Sequence, residues 1–427
     1  VRQELLSESK DYFQKHYKTF QGTADLYVCF MEKGFNLLKK DGLFSYIVAN
    51  KWMRANYAKN LREWLSKKDI VEIIDFGDLP VFQQATTYPC IFCIRKGEPS
   101  EKFSAVNVDD LNFNSLGEYV QSRKFDVDQE RLSVEGWNLT NTAELDLLEK
   151  IKSKGVPLEQ YVEGKIFRGV LTGFNAAFVI DEETKNRLIA EDPKSAEIIK
   201  PFLAGRDIKR YAPLETDKYL IFTRRGIDIK KYPAIEKYLL QFKENLMPKP
   251  EGWKGENWPG RKPGKYKWYE IQDAVDYYEE FEKEKIIIPA ISNIANNALD
   301  YGIHYSNDKT SIIVHSEPKF LLGIMNSKII DYFVQSIAST KQGGYYEYKP
   351  MYVSKIPVYD EINPNRDKII QAVDSMLESQ KQLQTAKSDS DRKILQQKID
   401  AIDKQIDRLV YKLYGLTEDE IKIVEGE

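Results

Sequence analysis

Between Lys249 and Trp268 the chain reads KPEGWKGENWPGRKPGKYKW, which sets Lys249, Lys254, Arg261, Lys262, Lys265 and Lys267 among Trp253, Trp258, Tyr266 and Trp268. Lys and Arg at this spacing can neutralise backbone phosphates while the rings pack or stack, so the chemistry is that of a nucleic-acid contact. The Pro and Gly content excludes regular structure, and the stretch is too aromatic for a plain linker. We read its tryptophans as anchors and its lysines as phosphate-facing groups. A second loop, STKQGGYYEYKP, offers Lys341, Gln342, Tyr345 and Tyr346 around a flexible Gly-Gly. Upstream, Gly164, Gly169 and Gly173 punctuate a β-rich stretch that displays Lys165, Arg168 and Thr172. Lys209 and Arg210 close GRDIKRY, and Arg224-Arg225 follow an apolar strand on a turn. Loops bearing donors are what phosphate and base-edge contacts require. From Lys200 to Gln272 there are 17 Lys/Arg against 9 Asp/Glu, a local excess of +8 in a chain of net charge −3. A basic segment inside a mildly acidic chain points to a local polyanion site.

Other chemistries find less support. Cys90 and Cys93 spell C-x-x-C, but in the strand pattern YPCIFCIRK residues three apart face opposite ways. No further Cys or His pair completes a zinc site, and we expect no metal. Three cysteines argue for a reducing, cytoplasmic setting and against a disulfide scaffold. His16, His304 and His315 are scattered and read as structural. Asp308 with Glu317-Pro318-Lys319 imitates the D…ExK metal site of nucleases, yet Pro318 breaks the strand such a site needs. No apolar run approaches a membrane span, and the polar N-terminus is no signal peptide. The chain starts at Val1 rather than Met, as expected of an excised piece.

With 427 residues, the chain has room for two or three domains. Asp25 can cap the helix LYVCFMEKGFNLLKK, and Asp41-Gly42 turns the chain into the apolar run LFSYIVAN. A helix follows, with Leu61, Trp64 and Leu65 inward, then the strand IVEIIDFG, the loop DLPVFQQATTY and the strand PCIFCIRK. This alternation marks an open α/β sheet. Residues 97–150 read as a connector with short strands and a helix. From Pro157 to Pro357 short strands, helices and aromatic loops form a second domain. Two seams at 4-and-3 spacing, one from Ile369 to Leu383 and one from Leu395 to Leu413, flank the polar break TAKSDSD and predict an antiparallel helical hairpin. Its seams bury against each other, pack on the second domain, or mediate self-association.

The residues DLY…F…LLK.DG.FSYIVANKW…Y…LR.WL resemble the C-terminal half of the γ-type DNA adenine-N6 methyltransferase domain of TaqI-like enzymes and Eco57I-like fused restriction-modification enzymes. The likeness covers nearly all of residues 21–96. The segments VEGKIFRGVLTGFNAAFVID through KIPVY are similar to the family's C-terminal specificity domain, and the later part also resembles recognition domains of type I specificity subunits. The resemblance implies a module that reads double-stranded DNA in the major groove and delivers an adenine to a methyltransferase cleft. It further implies that Phe82, in LPVFQQATTY, stacks on the flipped base, with Gln83, Gln84 and Tyr88 lining the same mouth.

The departures matter as much. The chain has no Asn-Pro-Pro-Tyr or Asp-Pro-Pro-Tyr, and no Gly-rich loop that would cradle S-adenosylmethionine. IIDFGD has one glycine where such a loop needs two or three. We therefore expect no catalytic residue and no bound cofactor in this chain; S-adenosylmethionine and the missing N-terminal methyltransferase half belong to the parent enzyme, which carries its endonuclease, if any, upstream. The expected fold class is α/β: the C-terminal half of a Rossmann-like methyltransferase sheet (1–100), a connector (101–156), an α+β target-recognition domain (157–357) and the helical hairpin (358–427). The rival reading is a non-catalytic specificity subunit of a type I-like system, which would carry a second recognition domain at Asp25–Lys96. A protein scaffold without nucleic-acid role is the third.

Overall fold

The computed structural model describes Leu6 and residues 9–82, 87–255 and 257–426. The chain divides into two compact units: one of Val1–Ser153, Tyr332–Glu347 and Gly426–Glu427, the other of Lys154–Asp331 and Tyr348–Glu425.

The first unit is built on a five-stranded sheet of β1 (Leu43–Ala49), β2 (Asp69–Asp75), β3 (Pro89–Arg95), β4 (Lys102–Asn107) and β5 (Phe125–Asp128), in the order β1-β3-β2-β4-β5. Cys90, Phe92 and Ile94 make β3 apolar and are fully buried, which suits an interior strand. It runs antiparallel to both β1 and β2, so those two are parallel to each other; β2 also pairs parallel with β4. The stretch 97–150 thus contributes β4 and β5 to this same sheet. One face is covered by helices Tyr27–Leu37 and Lys59–Leu65, which bury Val28, Met31, Leu61 and Leu65. Helix Leu116–Arg123 covers the other face over β2 and β4 through Val120, packed with Ile74 and Val106. Over β1 that face is open, with Leu43 60% and Ile47 42% exposed. Cys90 accepts from Trp52 Nε1 at 3.4 Å and is buried, whereas Cys93 is half-exposed, as strand alternation requires.

The second unit holds two four-stranded sheets, one centred on Ile199–Leu203 and Lys218–Ile221, the other on Glu284–Pro289 and Thr310–Ile313. Their inward faces share a core that includes Phe178, Leu203, Ile221, Ile287 and Ile312. Helices Asn365–Thr385 and Asp389–Tyr414 form a hairpin whose seam buries Ile369, Val373, Ile402, Ile406 and Val410. Helix Pro318–Met325 lies on that seam at Gly323, where a Cβ would stand 2.7 Å from Ile369 Cγ2. Among the described residues no helix is long and apolar enough to cross a membrane.

A polar knot fastens the hairpin. Arg210 donates to the carbonyl of Asn326, to Ala295 O at 3.3 Å and to Asp403 Oδ1 at 2.6 Å. Asp407 accepts the Lys328 N–H at 2.9 Å, and Asp331 accepts from Tyr348 Oη and the Ala295 N–H, both at 2.6 Å. Burial pushes the Asp331 and Asp407 carboxyls up to about 6. A carboxyl raised on folding contributes stability that is complete below the ordinary aspartate pKa near 4 and is lost as pH rises through about 6. Asp407→Asn keeps the acceptor for Lys328 and removes the buried charge, which Asp403 repels and Arg210 attracts. Urea unfolding should show the variant up to about 3 kcal/mol more stable than the native chain at pH 8, and that gain should shrink as pH falls and vanish only below about pH 4. Equal stability at both pH values would show that Asp407 carries no such strain.

Candidate nucleic-acid interface

In the first unit the strands converge. Because β1, β2 and β4 are parallel, their carboxyl ends share one edge, the edge at which open α/β sheets bind ligands. Asn50 follows β1, Asp75 ends β2 and Asn107 ends β4. Asn50 Nδ2 donates to Asp75 Oδ1 at 2.7 Å and to Gly77 O at 3.2 Å, while the Gly77 N–H donates to the same carboxylate oxygen at 3.0 Å. Asn107 Nδ2 donates to Leu139 O at 2.9 Å. The loop after β1 is locked by buried Arg62, which donates to Trp52 O at 2.5 Å and to Ala55 O and Val134 O at 2.8 Å. Asn50, Asp75, Gly77 and Asn107, with Arg54, Thr140 and Tyr346, line a cleft of about 210 Å³. Sequence reasoning missed it. The only signal was a polar residue ending each of three apolar runs.

Phe82 leaves the same edge on the loop past β2; its ring is 44% exposed and joins neither apolar core of the unit. Tyr88 is buried, with the Lys51 ammonium 5.3 Å over its ring, so it does not line an open mouth. Gln83 and Gln84 lie outside the described residues. Lys341 pairs with Glu347 at 2.6 Å, while Gln342 and Tyr345 are exposed.

In the second unit the basic side chains sort into two groups. Arg261 is buried and donates to the carbonyls of Glu270, Leu246, Thr172 and Trp268 over 2.7–3.0 Å, and to Lys267 O at 3.3 Å. Desolvation pulls its guanidinium down to about 10, still charged at neutral pH. It is the hub of the Lys249–Trp268 loop. Trp258 donates to Met247 O at 3.2 Å and packs edge-on against Trp253, and Tyr266 is buried. Lys254, Lys262, Lys265 and Lys267 project outward from that framework. Lys209 is exposed, and so is Arg224, whose guanidinium lies 4.6 Å over the Tyr278 ring. Lys165 pairs with Glu163 at 2.9 Å and Arg168 with Asp308 at 3.2 Å, both half-exposed.

Three expected DNA donors face inward instead. Thr172 is 1% exposed; its hydroxyl donates to Asn175 Oδ1 at 2.6 Å and accepts the Phe174 N–H, so it fastens a turn rather than displaying a donor. Arg210 is spent on the hairpin knot. Arg225 donates to Gln272 O at 2.7 Å and is half-buried beside Tyr266. The nuclease-like residues are also dispersed: Glu317 pairs with Arg366, and Lys319 with Asp374 at 2.6 Å.

Residues 1–82 match the family model of the Eco57I restriction-modification methylase, and residues 200–358 match that of the TaqI-like C-terminal specificity domain. The chain is similar to the type II methyltransferase M.BstVI of Geobacillus stearothermophilus, 22% identical over all of this chain and 73% of that protein. It is 23% identical to the type II restriction enzyme and methyltransferase RM.Eco57I of Escherichia coli, over 99% of this chain but 46% of that one. Among solved structures it shares its fold with the type IIL restriction-modification enzyme MmeI, determined in complex with DNA: TM-score 0.65, 13% identity, 98% of this chain and 54% of that chain. The two matches set an Eco57I-type methylase stretch ahead of a TaqI-like specificity domain, the order that the sequence resemblance anticipates.

Arg261→Met should cost about 3 kcal/mol or more, because several buried carbonyls lose a charged donor at once. Lys265→Ala should stay within about 0.5 kcal/mol. Urea unfolding, with limited proteolysis of the 249–268 loop, measures the contrast; equal effects would deny Arg261 the role of hub.

Proposed function

We propose that this chain reads a DNA sequence on behalf of an S-adenosylmethionine-dependent adenine-N6 methyltransferase of a restriction-modification system. The observation that carries the reading is the lysine rim: Lys254, Lys262, Lys265 and Lys267 stand exposed on a loop fastened through buried Arg261, inside the stretch that matches the specificity domain. Lysines held this way neutralise phosphates and set register, leaving base edges to neighbouring loops. Lys209 and Arg224 are further exposed cations of the same unit, and Arg168 and Lys165, each about half exposed, exchange a carboxylate for a phosphate at modest cost.

In this reading the first unit supplies the C-terminal half of the methyltransferase sheet. Support comes from β1, which pairs only with β3 among the described residues and carries exposed Leu43 and Ile47, and from helix Tyr27–Leu37, where Phe30 and Leu37 are 50% and 72% exposed. An apolar edge strand without Lys or Pro is what a further strand covers. Phe82 then stacks on the extruded adenine. The turn Asp75-Phe76-Gly77-Asp78 does not fit S-adenosylmethionine: it has one glycine, no helix follows it among the described residues before β3, and both its carboxylates accept from backbone N–H groups. The cofactor and the catalytic Asn/Asp-Pro-Pro-Tyr motif come from methylase sequence outside these 427 residues. A type I-like specificity subunit is disfavoured, since residues 1–82 match a methylase rather than a second recognition domain.

Selection of this chain against a random duplex library at two salt concentrations should enrich a motif containing an adenine; absence of binding at either salt would refute the reading. The triple variant Lys262→Ala, Lys265→Ala, Lys267→Ala should weaken binding on all sequences alike. Its log–log salt slope should be shallower by up to about 3, roughly one unit for each phosphate that the variant no longer neutralises. An unchanged slope would remove the loop from the interface. Calorimetry with S-adenosylmethionine should give no saturable heat, and a micromolar isotherm would overturn the half-sheet assignment.

A further inference from the structure

Asp78 stands three residues past the end of β2 and four before Phe82. Its Oδ2 accepts the N–H of Gly343 at 2.9 Å and of Gly344 at 3.0 Å. Both glycines are left-handed, with φ of 81° and 74°, a backbone that aims successive amides at one point and accepts an anion there. The amides belong to the tip of a hairpin, Thr340–Lys341 against Tyr345–Glu347, closed by the Lys341–Glu347 ion pair at 2.6 Å and by the Glu347 N–H to Ser339 O at 3.1 Å. Gln342 and Tyr345 are exposed at that tip. On its other side Asp78 is carried by a turn fixed to the sheet: Asn50 and the Gly77 N–H hold Asp75, and the Leu79 N–H donates to Phe76 O at 3.0 Å.

We propose that Asp78 is a positioning residue for DNA recognition: its carboxylate clasps the 340–347 hairpin to the Phe82 loop, so that Gln342 and Tyr345 read bases from the same frame that holds the stacking ring. The inference rests on the DNA reading above and adds to it the residue that couples the two loops. A hairpin whose glycine tip is released from its acceptor still carries the same side chains but no longer presents them at one place. Its loss therefore falls on discrimination between sequences rather than on phosphate-driven affinity.

The test uses the whole chain with Asp78→Ala, Asp78→Asn and Gly344→Ala. A Cβ at Gly344 meets nothing within 4 Å, so that variant perturbs only the backbone of the tip. Each is titrated with the duplex enriched by the native chain and with a random duplex, alongside a thermal melt. Asp78→Ala should lower the cognate-to-random affinity ratio about tenfold, the loss expected for a charge-assisted hydrogen bond, with the random-duplex affinity and the melt unchanged. Asp78→Asn keeps an acceptor oxygen and should recover most of the ratio; Gly344→Ala should behave like Asp78→Ala. A native ratio in Asp78→Ala overturns the inference while leaving the DNA reading intact. Tighter binding to every duplex by Asp78→Ala also overturns it, marking the amide pair instead as a phosphate site that the carboxylate keeps filled. A native chain with no preference at all removes the DNA reading, and this inference with it.

Discussion

The reversal of one strand sets the geometry of the first unit. β3 is apolar and buried, and it lies inside the sheet; running antiparallel between β1 and β2, it forces those two strands to point the same way. Had the loop into β3 led to an outer position, the ends of β1 and β2 would not be held to one edge by a shared neighbour. As it is, Asn50 and Asp75 meet at 2.7 Å, and β4 brings Asn107 to the same side. The loop carrying Asp78 and Phe82 starts from this pinned edge. A side chain on a loop with such an origin has part of its freedom removed before any ligand arrives.

Desolvation organises the second unit in a comparable way by sorting its cations. A guanidinium is planar, with five donors and weak hydration, and it can enter the interior where several carbonyls converge. Arg261 and Arg210 do so, each tying three or more chain segments together. An ammonium is more strongly hydrated and stays outside unless a counter-charge awaits it, as with Lys265 and Lys267 on the loop surface. Lys285 is the exception that keeps to the rule: fully buried, it pairs with Asp300, which in turn is hydrogen-bonded to His304 at 2.6 Å. The basic surface is thus made by lysines standing on a framework that arginines hold.

This sorting explains what was legible in the residues and what was not. The helix–strand order from Asp25 to Lys96 is written in local signals: apolar runs of strand length, the Asp41-Gly42 turn, the inward spacing of Leu61 and Leu65. The hairpin seam is equally local, and its two-helix periodicity survives any context. The fate of a single polar side chain is not local. Thr172, Arg210 and Arg225 sit in the same kind of Gly-rich or turn sequence as Lys209 and Arg224, yet their partners lie as far away as Asp403, 193 residues along the chain from Arg210. A count of +8 over one segment weighs Arg261 and Lys262 alike, though one is the interior hub and the other its rim. The cleft at Asn50, Asp75 and Asn107 was hidden for the same reason: each residue ends an unremarkable strand, and only strand order brings them together.

The uncovered side of β1 belongs to the same logic. An isolated sheet edge normally defends itself with charge, proline or a bulge, because its unpaired N–H and C=O groups recruit any extended chain. LFSYIVA has none of these, and the register of β1 against β3 is unbroken over its whole length. Leu43 and Ile47, exposed on the face that no helix covers there, would add an apolar contact to the hydrogen bonds of an incoming strand. Such an edge is tolerable in a chain whose neighbour is always present and hazardous in one that works alone. The composition of β1 thus leaves its outer edge open to pairing, with no charge, proline or bulge to oppose an incoming strand.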